Sequence, residues 1–202
     1  MGISLKKGQR ISLTKDNKGL SKILVGLGWD QVKQNQSGGF LSSLFGSKQE
    51  DIDCDASVFM IDSNNRVGEV VYFGHLDSDD GSIHHNGDNL TGAGDGDDEQ
   101  IIVDLSRVPE HIQKLVFIVN IYDCIKRRQH FGMIENAFIR IEDASTNKEL
   151  VIFNLSQGYD NKTGLYAGEI YRNNGEWKFA AIGEADTSTG LKDMMNNYTS
   201  RL

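Results

Sequence analysis

Asn173-Asn174-Gly175 stands between GLYAGEIYR (164–172) and EWKFAAIGEA (176–185), two runs of strand character. Asn-Gly tolerates the positive φ values of a two-residue hairpin turn, so the stretch predicts two adjacent antiparallel strands. The same grammar recurs along the chain. CDASVFMID (54–62) and VGEVVYF (67–73) flank Ser63-Asn64-Asn65-Arg66, and AFIRIED (137–143) and LVIFNLS (150–156) flank residues 144–148. ISLTK (11–15), KILVGLGW (22–29) and IIVDLS (101–106) add further strands. KLVFIVNIYDC (114–124) is apolar almost throughout, as a strand buried on both faces would be. The 22 glycines suit many tight turns. Eight or more strands at short spacing with little helix predict an all-β sandwich of two β-sheets with few short helices.

Two places predict helix. Pro109 near the start of VPEHIQKL (108–115) suits a first helical turn, and the tail from Ala185 holds room for one short helix. Residues 31–51 change character, being rich in Gly, Ser and Gln around Phe40, Leu41, Leu44 and Phe45, and read as an inserted loop. No repeat and no internal boundary is visible, so 1–202 reads as a single domain.

The net charge of −8 is local. Between Val67 and Ser106 there are ten Asp or Glu and no Lys or Arg, while the rest of the chain carries 21 basic and 19 acidic residues. Nucleic acid is a poor partner for such a face. No apolar run approaches the roughly 20 residues that span a bilayer. MGISLKKGQR lacks the apolar stretch of a secretory signal and a Ser or Thr at position six for myristoylation. The expected location is cytoplasmic. Cys54 and Cys124, far apart in apolar surroundings, read as buried thiols.

The acidity peaks in GDNLTGAGDGDDE (87–99), with five acidic residues and four glycines in thirteen positions. Gly87-x-x-x-x-Gly92 has the glycine spacing of a phosphate loop, but Ala93 stands where Lys is needed. An EF-hand frame ending at Glu99 puts Leu90 and Ala93 at a ligand and a glycine position. A frame from Asp51 to Asp62 has Ala56 for the glycine and Asp62 for the bidentate Glu. His84 and His85 are adjacent, and adjacent strand residues point to opposite faces, so one ion cannot easily take both. His85 is left to orient the loop through a hydrogen bond.

An irregular calcium site fits better. Ca²⁺ takes 6–8 oxygen ligands in adaptable geometry. Asp88 and Asn89 supply oxygen at one end of the loop, and Asp95, Asp97, Asp98 and Glu99 at the other. Asp53 and Asp55, on one face of a strand by alternation, complete the shell. Mg²⁺ demands stricter order, and zinc prefers thiolate and imidazole. The plain alternative is a solvated acidic loop without an ion.

These motifs resemble the TerD family of tellurium-resistance and general stress proteins. DIDCDASVFMID (51–62), DDGSIHHNGDNLTGAGDGDDE (79–99), VNIYDCIKRRQHFGMIENAFIRI (119–141) and GEIYRNNGEWKFAAIGEA (168–185) carry the resemblance. It implies a sandwich of two sheets with paired Ca²⁺ sites at one edge. Carried over by position, the metal residues are Asp53, Asp55, Asp88, Asn89, Asp97, Asp98 and Glu99, with Asp95 at a position expected to vary. The 31–51 insertion departs from the family pattern. The resemblance further implies a non-enzymatic role in tellurite resistance and stress. The partners it implies are other stress or tellurium-resistance proteins, membrane-associated ones among them, with a place at the inner face of the membrane.

The rival reading is a metal-dependent enzyme acting on a phosphoryl or tellurium oxyanion. Against it, the sequence offers no nucleophile–base pair, no Arg or Lys clamp in the acidic stretch and no cofactor fingerprint. A third is an assembly module whose basic run Lys126-Arg127-Arg128 meets an acidic partner; such runs are more often a solvated face, with lipid phosphate a minority option.

Overall fold

The computed structural model describes residues 2–32, 51–87, 96–155 and 158–200. Among these residues twelve strands run in chain order: β1 (Ile3–Leu5), β2 (Arg10–Ser12), β3 (Lys22–Gln31), β4 (Cys54–Asp62), β5 (Val67–Val71), β6 (Ile83–His85), β7 (Glu99–Asp104), β8 (Ile112–Ile121), β9 (Ile134–Asp143), β10 (Lys148–Asn154), β11 (Gly164–Asn173) and β12 (Glu176–Asp186). A four-residue helix, α1 (Cys124–Arg127), follows β8, and α2 (Leu191–Thr199) follows β12. The strands form two six-stranded sheets, β1-β10-β9-β3-β7-β6 and β2-β12-β11-β8-β4-β5. The expected all-β sandwich is what the chain forms.

Alternation builds the space between the sheets. Ile23, Val25, Leu27 and Trp29 of β3 meet Cys54, Ala56, Val58 and Met60 of β4 and Leu115, Phe117, Val119 and Ile121 of β8 in one buried cluster. β8 is apolar on its other face too, because α2 lies there. Val116, Ile118, Phe59, Ile61 and Tyr166 pack under Met194 and Tyr198. The Tyr166 hydroxyl donates to the Met194 carbonyl at 2.9 Å and fixes the helix. The two buried faces of KLVFIVNIYDC thus have two different covers.

The turn signals were sound. Asn174 and Gly175 take φ of 53° and 76°, and Asn65 takes 60°. Pro109 was misread. It opens a turn in which the Ile112 N–H donates to the Pro109 carbonyl at 3.0 Å, and β8 begins there directly. Fixed φ serves a turn as well as a first helical turn, and the β-branched run after it decides for strand. β3 extends through Gln31 rather than ending at Trp29. The rest of the predicted inserted loop, from residue 33 to 50, lies outside the described residues. β1, β6 and α1 are too short to show a period in the sequence. Among the described residues no helix is long and apolar enough to cross a membrane.

Candidate metal centre

One end of the sandwich gathers the start of β4, the end of β8, the end of β3 and the start of β7. Asp55 pairs with Asn120 and Glu99 with Leu27 in the two ladders. Alternation about Cys54 sends the thiol into the inter-sheet core and puts Asp53 and Asp55 on the opposite face, as predicted. Both carboxylates are nevertheless buried. The Asn120 amide donates to Asp55 Oδ2 at 3.1 Å, and Arg127 Nη1 stands 3.5 Å from Asp53 Oδ2. The Tyr122 N–H donates to the Asp53 carbonyl at 2.8 Å, tying the segment after β8 to this corner.

Glu99 begins β7 in the other sheet and points inward. Its Oε2 accepts from the Ala56 N–H at 2.6 Å, so a carboxylate of one sheet caps the backbone of the other. His85, fully buried, stands beside it. Its Nδ1 accepts from the Gly87 N–H at 3.1 Å, which places the ring proton on Nε2, 3.2 Å from the Ala56 carbonyl and 3.5 Å from Glu99 Oε2. The predicted orienting role for His85 matches this contact with the first glycine of the acidic segment. His84 points outward, 2.6 Å from Asp77. The two imidazoles diverge.

Asp98 continues the ladder beyond β7. Its N–H donates to the Leu27 carbonyl and its Oδ2 accepts from the Trp29 N–H, both at 2.8 Å. Burial pushes the Asp98 carboxyl up, the Trp29 N–H opposes this, and Asp30 and Asp97 add to it. Burial also pushes the Cys54 thiol well up, reinforced by Asp55, Glu99, Asp53 and Asp98. These four predicted residues thus lie at the same end of the sandwich as the thiol, Asp53 and Asp55 on the outer face of the β4 sheet and Glu99 between the sheets.

Asp97 goes elsewhere. It lies over Gly26 on the outer face, where Arg140 grips it through Nε and Nη2, the latter at 2.9 Å from Oδ2. The strand proper starts at Glu99, so the preceding residues are free of its alternation. Asp88, Asn89 and Asp95 lie outside the described residues. Sequence reasoning missed Asp30, the penultimate residue of β3, whose charge acts on Asp98, and did not connect Arg127 to Asp53. The first was visible as the acid closing KILVGLGWD; the second required the fold.

Among the described residues, the one group of acids and histidines whose potential ligand atoms lie within 4.8 Å of one another is Glu69, His75 and Asp79, on the surface. His75 Nε2 is already 2.9 Å from Glu69 Oε1.

Comparison with known proteins settles the family. The TerD domain model matches residues 1–198. The chain belongs to the TerD domain family. It is 54% identical over 200 residues to stress response protein SCP2 of Bacillus subtilis (strain 168), covering 98% of this chain and 100% of that one. It is 40% identical over 201 residues to tellurium resistance protein TerD of Serratia marcescens, covering 98% and 97%. A crystal structure of a telluride resistance protein (TerD) homologue from Streptomyces coelicolor A3(2) shares the fold, with a TM-score of 0.63 at 21% identity over 84% of this chain and 92% of that one.

The donor chemistry of the corner of this TerD-family chain suits a hard cation. The described ligand candidates there are carboxylates. The thiol among them is held protonated by burial, and both ring nitrogens of His85 are engaged.

Proposed function

We propose that this chain is a calcium-binding stress-response protein associated with tellurite resistance, acting as a non-enzymatic sensor or scaffold. The observation that carries the reading is that three acids from both sheets, Asp53, Asp55 and Glu99, are buried at one end of the sandwich, with Asp98 next to Glu99 in the chain. Like charges so placed repel, and a divalent ion offsets that repulsion. These four residues, with Asp88, Asn89 and Asp95 from the adjoining segment, are those that would hold it. The ion supplies charge neutralisation and cross-linking of β4 to β7, ordering the corner as a docking surface. Its partners on this reading are other stress or tellurium-resistance proteins, with the chain cytoplasmic and peripheral at the inner face of the membrane.

The names of the relatives at 54% and 40% identity support the stress and tellurium association. Isothermal titration of the metal-free chain with Ca²⁺ tests the rest. Saturable uptake with a rise in melting temperature is expected, and heat-free titration with unchanged melting would refute it.

A further inference from the structure

The basic run read from the sequence as a solvated face has apolar company. Ile125 of α1 is 71% exposed and Tyr122, just before it, 48%. Phe73 is 43% exposed and lines, with Tyr122 and Asp55, a cavity of about 430 Å³. Tyr122 and Phe73 therefore flank the cavity that Asp55 lines, and Ile125 stands on the short helix that follows Tyr122. Beside them Lys126 has 84% of its side chain in solvent, and Arg128 is exposed. Arg127 is half-buried, its guanidinium 5.1 Å from the Tyr122 ring centre and 3.5 Å from Asp53.

We propose that the turn Tyr122–Arg128 docks on an anionic lipid surface when a divalent cation occupies the adjacent corner. This rests on the calcium reading above and names the partner that the loaded corner would meet. Charge complementarity selects the occupant. The turn carries Lys126, Arg127 and Arg128 against Asp123, which lies 3.5 Å from Lys126. Exposed side chains that pair an apolar tip with neighbouring cations suit the headgroup boundary, where apolar groups enter and cations stay among phosphates.

The same geometry makes docking conditional. Without an ion, Asp53 and Asp55 adjoin the turn and repel an anionic surface, and Asp53 holds the Arg127 guanidinium. An ion neutralises the carboxylates and competes with Arg127 for Asp53, leaving that cation to the turn. Metal uptake and lipid affinity are then linked in both directions.

The test is co-sedimentation of the full chain with vesicles of phosphatidylcholine alone or containing about a third phosphatidylglycerol, in Ca²⁺ or in EGTA. Binding is expected only with phosphatidylglycerol and Ca²⁺. The triple variant Ile125→Ser, Lys126→Ser, Arg128→Ser should lose about ten-fold or more of it while taking up Ca²⁺ and melting as the parent does. Ca²⁺ uptake by calorimetry without vesicle binding overturns the lipid inference alone. Failure of uptake itself overturns the calcium reading and the inference with it. Equal binding to neutral vesicles, binding in EGTA, or full binding by the triple variant each refute the proposal.

Discussion

Glu99 of β7 accepts a 2.6 Å hydrogen bond from the backbone amide of Ala56 in the opposite sheet. Sheets in a sandwich normally meet through apolar side chains, so this bond is a polar rivet at the end of an apolar interior. It makes one carboxylate both a structural acceptor and a candidate ligand, and substitution can separate the two roles.

Glu99→Ala strands the Ala56 N–H in a buried site, with a cost of about 1–3 kcal/mol. Glu99→Gln keeps an acceptor oxygen and should recover most of that loss. Both variants should bind Ca²⁺ more weakly than the parent. Chemical denaturation and calorimetry on the same samples decide this, and equal stability of the parent and the Ala variant would refute the rivet.

Asp98→Ala should weaken Ca²⁺ uptake by about ten-fold or more, since charge count tunes such sites. In the parent, Ca²⁺ at about 100 times its dissociation constant should add about 2.7 kcal/mol. A chain of this size would then melt roughly 5–10 °C higher. A thermal shift as large in the variant as in the parent, at low Ca²⁺, would contradict the assignment.

Asp97 should behave differently from its neighbour. Asp97→Ala removes the grip of Arg140 and should cost about 1–3 kcal/mol with Ca²⁺ uptake largely retained. Gly26→Ala places a methyl group against the Asp97 carboxylate and should also destabilise by about 1–3 kcal/mol. In a double-mutant cycle the cost of Gly26→Ala should shrink once Asp97 is Ala, because the clash has gone. Simple additivity would refute this contact, and loss of Ca²⁺ binding in Asp97→Ala would return Asp97 to the ligand set.

Alkaline pH should loosen α2. Lys114 lies 3.3 Å from Glu169 and donates to the Tyr198 hydroxyl at 3.4 Å. Burial works against the Lys114 charge, but Glu169 and Tyr198 outweigh it and raise the ammonium above 10.5. Burial raises the Tyr198 phenol above 10.0, with Lys114 opposing. Both groups hold protons more tightly folded than unfolded, so their contribution is complete below about pH 10 and declines as pH rises beyond it. Thermal melts from about pH 9 to pH 11 should fall, and Lys114→Met should flatten the fall. A Met variant with the parent's profile would rule out this coupling.

The sequence made some of this architecture plain and hid the rest for identifiable reasons. Asn174-Gly175 announced its hairpin because few residues accept those backbone angles. Asp53 and Asp55 were legible as a same-face pair because strand alternation is strict, and Asp98 and Glu99 because of the local charge. Asp97 looked equivalent to them. Its departure depends on Gly26 and Arg140, which lie far off in sequence and meet it only across the ladders β3–β7 and β3–β9. Pro109 failed as a signal because a fixed φ serves several local structures. Lys126-Arg127-Arg128 read as uniform, yet the fold sends Arg127 back to Asp53 and leaves its neighbours in solvent.

β1 and β2 are separated by only four residues but belong to different sheets, β1 beside β10 and β2 beside β12. During synthesis, the first two strands to emerge must therefore wait for nearly the last two before either finds its neighbour. Neither strand can take its place in a sheet until chain from beyond residue 147 has been made. Clipping the chain ahead of Glu176 would leave Arg10–Ser12 with no margin to join.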